Sequence, residues 1–375
     1  PLPEKVHPLP VIAYHLTEKA ANEDKGKRIR STIDIDLQHA VVERVQRYRE
    51  ELAANHIYNV AVLVSEVKSR DVKAYVGNYF DGREMQHGNS VDVIQSPRST
   101  GSILKPFLYC KMMDDGQITP QMLIPDIPTR FGGFTPVNFD EEFNGAVPAA
   151  EALARSLNIP AVRMLRDYGI PPFYSFLKKA GMTSLTNPPD YYGLSLILGG
   201  AEVTLWDLTG MYTSLVSVLK NYDENDGFYA AQSFQPLVWI EDKTNKESIK
   251  QAVQPKVRAA AVYKTLQALL EVKRPQSEAG WQSFASSRNI AWKTGTSFGF
   301  RDAWAVGMTS DYMVSVWVGN ADGEGRPGLT GVAAAAPLLF DVFELLPVSG
   351  WFHQPVDEME QLEVCALSGF RPGIN

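Results

Sequence analysis

The chain has 375 residues, 45% of them apolar, which is enough to bury one large core or two medium ones. Its net charge of −7, with no dense run of Lys and Arg anywhere, leaves no electrostatic footprint for nucleic acid. No apolar run reaches the ~18 residues of a membrane span; the most apolar late stretch, Val332 to Leu346, is broken by Pro337, Asp341 and Glu344 and reads as a packed helix. Two distant cysteines, Cys110 and Cys365, make neither a disulfide framework nor a metal site, and the six histidines form no HExxH pair or Cys/His cluster. No metal and no cofactor is expected.

Residues 1–30 hold four prolines and a charged stretch ending in Lys25-Gly26-Lys27-Arg28, without sustained period, and read as a linker. From Asp36, a candidate N-cap, Leu37, Val41, Val45, Tyr48 and Leu52 recur at helical spacing. Asn59 to Ser65 and Val72 to Asn78 are β-rich runs separated by Lys68-Ser69-Arg70-Asp71, which predicts a hairpin. Residues 116–148 are rich in Pro, Gly, Phe and Asp, and a loop of that length usually wraps a site. Helical patterns then run to about Lys220. A β run, Leu237 to Asp242, precedes a helix over Gln254–Val272, and Asn289 to Lys293, Asp302 to Met308 and Met313 to Gly319 read as strands. A closing helix follows over Val332–Leu346. Helices grouped between antiparallel strand pairs predict an α+β layered fold over residues 31–347. Residues 348–375 read as the start of a further, truncated segment.

Three short motifs occur in order: Ser102-Ile103-Leu104-Lys105, Ser156-Leu157-Asn158 and Lys293-Thr294-Gly295. This is the S-x-x-K, S-x-N, K-T-G pattern of serine acyltransferases. The first motif alone is uninformative, because Ser65/Lys68, Ser175/Lys178 and Ser217/Lys220 repeat it, and Ser287/Asn289 repeats the second. Roughly one or two S-x-x-K matches arise by chance in such a chain, against about one K-T-G in ten chains. Order and spacing decide. Ser287 is too close to Lys293 to face it from another element, Ser65 falls at a strand end, and Ser175 and Ser217 open no helix.

Ser102 differs because it follows Gly101 and precedes Pro106 by four residues, where a proline ring would clash with a carbonyl deep in a helix. It is therefore expected at a helix N-terminus, whose backbone N–H groups support a developing oxyanion. One tension is that Lys105, before proline, is biased away from helix. If helical, Ser102 and Lys105 share a face ~4.5 Å apart along the axis, so hydroxyl and amine can meet as nucleophile and base. A lysine near its ordinary pKa of about 10.4 cannot accept a proton at neutrality; desolvation and a second cation, Lys293, would depress it. Ser156 then relays protons between the lysines and the leaving amine, while the Asn158 amide holds substrate and lysine.

These motifs and their flanks resemble class A penicillin-binding proteins. The resemblance is carried by the runs Arg98 to Pro106, Phe134 to Asp140, Ala152 to Val162, Leu198 to Leu205 and Trp292 to Ser297, the last followed by Arg301-Asp302-Ala303-Trp304. Within the class, Pro128 to Phe134 and the Leu198 run are most similar to type 1C. The resemblance implies a penicillin-recognising serine transpeptidase fold, with a five-stranded antiparallel sheet between helical layers. It implies D-Ala-D-Ala stem peptides as acyl donors, an amine acceptor, and β-lactams as covalent inhibitors. By position it implies an oxyanion hole from the N–H groups of Ser102 and Thr296, and substrate binding by Thr294, Gly295, Thr296 and Ser297. It also implies a periplasmic location, with a membrane anchor and a glycosyltransferase domain in full-length relatives, neither of which is in this chain, and a C-terminal β domain.

Two enzymes share the motifs. A class A β-lactamase needs a glutamate-activated water, and no E-x-x-L-N pattern lies between Asn158 and Lys293. A D,D-carboxypeptidase differs only in accepting water in place of an amine. A sensor or scaffold keeping the fold without turnover has no need of an intact set of motifs.

Overall fold

The computed structural model describes residues 11–80, 86–229, 234–241, 255–275 and 288–372. In chain order come α1 (Tyr14–Glu23), α2 (Ile35–Ala53), β1 (Asn59–Glu66), β2 (Val72–Val76), β3 (Arg98–Ser99), α3 (Lys105–Asp114), β4 (Leu123–Asp126) and β5 (Gly145–Pro148). Then follow α4 (Ala149–Ala154), α5 (Asn158–Tyr168), α6 (Ile170–Ala180), α7 (Pro189–Tyr192), β6 (Glu202–Val203), α8 (Leu205–Glu224) and α9 (Ala259–Leu270). The chain closes through β7 (Ala291–Thr296), β8 (Asp302–Met308), β9 (Tyr312–Gly319) and α10 (Ala336–Glu344).

The main sheet has five antiparallel strands in the order β2-β1-β9-β8-β7. Every residue of β8 is buried, so the sheet is covered on both faces. Helices α2 and α10 pack on the sheet and on each other, as do α8 and α9, and α3 and α4 stack on α9. This is the layered α+β arrangement that the grouping of helices predicts. Trp292, Trp304 and Trp317 are among the largest fully buried side chains, one on each of β7, β8 and β9.

Several boundaries differ from expectation. Asp34, not Asp36, caps α2: its backbone is extended and its carboxylate accepts from Asp36 N and Leu37 N, both at 3.1 Å. Residues 1–30, expected as a linker, contain α1, which packs beside β2 through the buried His15 and Leu16. The described part of the run from Leu237, up to Glu241, forms no strand; it pairs alternately with residues around Arg30 and Arg70, leaving isolated bridges at Val238 and Ile240. Helix α9 starts at Ala259 because Arg258 is extended. Asp242, Gln254 and Ser287 lie outside the described residues. The long loop holds the β4–β5 hairpin, and the closing helix opens with a widened turn, Gly331–Ala335, before α10.

The two sheet edges are treated differently. At β2, the buried Gln38 of α2 reaches over to act as a substitute strand residue. Its Oε1 accepts from Tyr75 N at 2.7 Å and its Nε2 donates to Tyr75 O at 3.0 Å and Ile12 O at 2.9 Å. At β7 no further strand pairs among the described residues. Gln38→Leu keeps the volume but orphans the N–H and C=O of Tyr75, each worth about 1–3 kcal/mol when buried. We expect the variant to lose about 2–4 kcal/mol of unfolding free energy in urea titration; an unchanged midpoint would remove this role.

Candidate active site

The turn Gly101–Leu104 precedes α3, so Ser102 sits one turn ahead of the helix and not in it. Lys105 is nonetheless the first helical residue, with Pro106 next, where a missing N–H costs nothing. The turn is pinned from several sides. Tyr212 Oη donates to Ile103 O at 2.7 Å, Trp304 Nε1 to Ser99 O at 2.8 Å, and Thr100 N to Ala201 O at 3.0 Å. Gly101, at φ +50°, lies against β7 so closely that a Cβ there would come within 2.5 Å of Thr296 O. Across the same contact, a Cβ on Gly295 would meet Thr100 O at 2.8 Å. Only glycines allow the nucleophile turn and the K-T-G strand to touch.

Ser156 ends α4 in a left-handed conformation, φ +57°. Its N–H bonds Leu153 O and the next N–H, of Leu157, bonds Ala152 O, which is the Schellman closure. That position normally takes glycine; serine there carries strain and projects a hydroxyl. Asn158 then opens α5.

The three motifs converge on that hydroxyl. Lys293 Nζ donates to Ser156 Oγ at 2.8 Å and to Thr294 O at 2.7 Å. Lys105 Nζ reaches Ser156 Oγ at 3.5 Å, Ser156 O at 2.7 Å, Leu157 O at 3.2 Å and Asn158 Oδ1 at 2.7 Å. Both lysines are buried, and no carboxylate bonds either one among the described residues. Sharing one oxygen keeps the two Nζ atoms within ~6 Å of each other, where like charges repel by at least about 3 kcal/mol at an effective dielectric near 20. Burial, then the Lys293 charge, holds Lys105 well below the usual lysine range. Burial alone lowers Lys293 to about 7. At neutral pH a neutral amine is therefore available.

Ser102 Oγ makes no hydrogen bond among the described residues, so the bond between nucleophile and lysine that the shared-face argument allows is not formed here. Lys105 instead points at the Ser156–Asn158 carbonyls, because three oxygens there outbid one hydroxyl. On β7 the alternation of an antiparallel pair, fixed by Ser297 N on Asp302 O, turns the N–H and C=O of Thr294 and Thr296 to the open edge. Thr296 Oγ1 accepts from Gly331 N at 3.0 Å, leaving its own proton to donate. Ser297 has a different part from the one expected: it is buried, and its Oγ accepts from Asp302 N at 2.8 Å, closing the β7–β8 turn.

The rival motifs are accounted for otherwise. Ser65 bonds Thr213 Oγ1 at 2.8 Å in the core, Ser217 bonds Val67 O at 2.9 Å, and Ser175 lies exposed on α6. A supporting pair escaped the sequence reading. Buried Asn138 accepts from Asn158 N at 2.9 Å and Ile159 N at 3.3 Å, capping α5, and donates to buried Asp126 at 2.8 Å. Asn158 Nδ2 in turn donates to Val137 O at 2.8 Å. Asp126 and Asn138 stand in the aperiodic loop, where only the run Phe134 to Asp140 gave a signal.

Among the described residues no helix is long and apolar enough to cross a membrane, and no group of His, Cys, Asp and Glu could hold a metal ion. Comparison with known proteins follows the motifs. The penicillin-binding protein transpeptidase domain matches residues 60–344. Penicillin-binding protein 1C of Escherichia coli is 32% identical over 90% of this chain and 41% of its own length, and penicillin-binding protein 1B of Haemophilus influenzae is 24% identical over 84% and 40%. The chain thus spans about two fifths of the length of these curated relatives. Among solved structures, the penicillin-binding protein PonA1 of Mycobacterium tuberculosis superposes with TM-score 0.71 at 20% identity, covering 96% of this chain and 97% of that one. The same protein in complex with penicillin V gives 0.69 at 21% identity, covering 96% and 97%. The fold, the three converging motifs and the family match lead to one conclusion: this chain belongs to the transpeptidase domain family of the penicillin-binding proteins.

Proposed function

We propose that the chain is a peptidoglycan D,D-transpeptidase working through an acyl-serine on D-Ala-D-Ala stem peptides, and that β-lactams acylate it covalently. The observation that carries this reading is one hydroxyl, Ser156 Oγ, within reach of two buried lysines. In acylation, neutral Lys105 takes the proton of Ser102 Oγ as that oxygen bonds to the carbonyl carbon of the penultimate D-Ala. The oxyanion is received by the N–H groups of Ser102 and Thr296, and the donor carboxylate by the Thr294 and Thr296 hydroxyls beside Lys293. The C–N bond then breaks, and the proton passes through Ser156 to the departing amine. An incoming amine reverses the route: it bonds to the acyl carbon, gives its proton to the lysine pair, and Ser102 leaves. A periplasmic setting follows from the substrate.

Intact mass after incubation with benzylpenicillin should show a single adduct, mapped to Ser102 and absent in Ser102→Ala. With no carboxylate bonded to the lysine pair among the described residues to activate water, general-base assistance of about 10² to 10⁴-fold is missing, and the ester should outlast a hydrolase's by that factor. Adduct on Ser175 or Ser217, or loss within seconds, would overturn the reading. Thioester turnover indifferent to an added amine would make the enzyme a carboxypeptidase.

The strain at Ser156 gives a second test. Ser156→Gly and Ser156→Ala both lose the relay, so both should acylate at least ~100-fold more slowly. Glycine, however, accepts the left-handed closure freely, so Ser156→Gly should be more stable than Ser156→Ala by about 1 kcal/mol in urea. Equal stabilities, or fast acylation by either, would count against the assignment.

The pH profile gives a third. The Lys293 charge lowers Lys105, so removing it lets Lys105 keep its proton to higher pH. In Lys293→Gln the acid limb of the acylation rate should therefore move to higher pH; a shift to lower pH would contradict the base role of Lys105.

A further inference from the structure

The closing helical run meets the K-T-G strand with its head. Gly331 lies so close to β7 and β8 that a Cβ there would come within 2.5 Å of Trp304 O, 2.7 Å of Gly295 O and 2.8 Å of Thr294 Cβ. Only glycine fits. Its N–H is one of the donors that a helix N-terminus leaves without an intrahelical partner, and it goes to Thr296 Oγ1 at 3.0 Å. Another, Ala333 N, is taken by the Thr330 side chain at 3.2 Å.

The shape of that head has a cause in sequence. Its first turn, Gly331–Ala335, is widened: the N–H of Ala336 bonds Gly331 O, five residues back. Pro337 follows, which has no N–H and whose ring, in a regular helix, would clash with the carbonyl of Ala333 four residues before it. The widened turn swings this carbonyl aside, and it accepts from Tyr48 Oη at 3.4 Å. Beyond the turn, α10 is anchored on the sheet, with Leu339 and Phe343 packed where Gly307 of β8 has no side chain. Between its two anchors the run thus holds one residue more than a regular helix needs. Such turns are rare and recur at functional sites.

On the transpeptidase reading given above, the Thr296 hydroxyl faces the donor carboxylate. A hydroxyl whose oxygen already accepts from an N–H turns its proton away from that donor. Behind the N–H stands the positive end of the helix, which favours an anion in front of it.

We propose that Gly331 and Pro337 are positioning residues that make the site selective for a donor with a free carboxylate. Pro337 forces the widened turn, the turn aims Gly331 N–H at Thr296 Oγ1, and the hydroxyl so held favours an anion over a neutral ester. Both residues act through Thr296.

The test compares second-order acylation rate constants for benzylpenicillin, which carries the carboxylate, and for its methyl ester, which does not. In the main variant one alanine of the Ala333–Ala336 run is deleted and Pro337→Ala returns the missing N–H, so that a regular helix can form. Its head then retreats by about 1.5 Å, the rise of one residue, which takes Gly331 N–H out of reach of Thr296. The ratio of acid to ester constants should fall about 3- to 10-fold, the net worth of one hydrogen bond, while the ester constant holds. Pro337→Ala alone keeps the chain length and should move the ratio the same way by less; it carries the test if the shortened helix does not fold. An unchanged ratio in the folded variant, or both constants falling together as a merely structural loss would make them, overturns the proposal. A wild-type protein that benzylpenicillin never acylates overturns the underlying transpeptidase reading, and this proposal with it.

Discussion

Two lysine amines buried around one hydroxyl are the constraint on which the rest of this molecule depends. Neither lysine is offset by a bonded carboxylate among the described residues, so the cost of burial is met by oxygens that carry only partial charge. That explains why the Ser156–Asn158 turn is aimed backbone-first at Lys105, and why Ser156 is held in a conformation that serine disfavours. It also explains the outer layer: Asn138 fixes the start of α5, and through it the carbonyls that solvate the lysine. A carboxylate in their place would stabilise the charge and spoil the base.

The same economy governs the sheet. One edge is sealed by a side chain that imitates a strand, while the other is kept bare along Thr294 and Thr296 and bordered by the nucleophile turn. An extended peptide laid on that bare edge would gain main-chain hydrogen bonds independent of its side chains. Discrimination among donors then has to come from the walls of the cleft.

How far this was legible in sequence depended on the range of the forces involved. The order of Ser102, Ser156 and Lys293 and the glycines beside them could be read, because the chemistry dictates residue type. Strands β8 and β9 were read nearly to the residue, since alternation and turn chemistry are local. The cap of α2 was missed by two positions because Asp34 and Asp36 are both acceptable caps, and the choice rests on backbone angles. The left-handed turn at Ser156 was invisible, as a glycine would have announced it and a serine does not. Asn138 and Asp126 were hidden for another reason: their meaning lies wholly in partners from other elements. The run from Leu237 looked like a strand because its composition is right, but composition does not say whether a continuous edge is there to pair with.

The register of the central strands carries a consequence for how the chain is made. Strand β1 lies between β2 and β9, with Asn59 opposite Gly319 and Glu66 opposite Tyr312, so the middle of the sheet joins the two ends of the domain. Until β9 has been released, the β1–β2 hairpin has no inner neighbour and exposes a row of unpaired backbone groups on a strand whose central five residues, Val60 to Val64, are apolar. Contacts so distant in sequence close slowly, and a waiting edge of this kind is prone to capture by another chain. Biogenesis of such a domain is therefore exposed to aggregation from the first strand onward, and its demand for holding factors is set by topology, before any catalytic residue is in place.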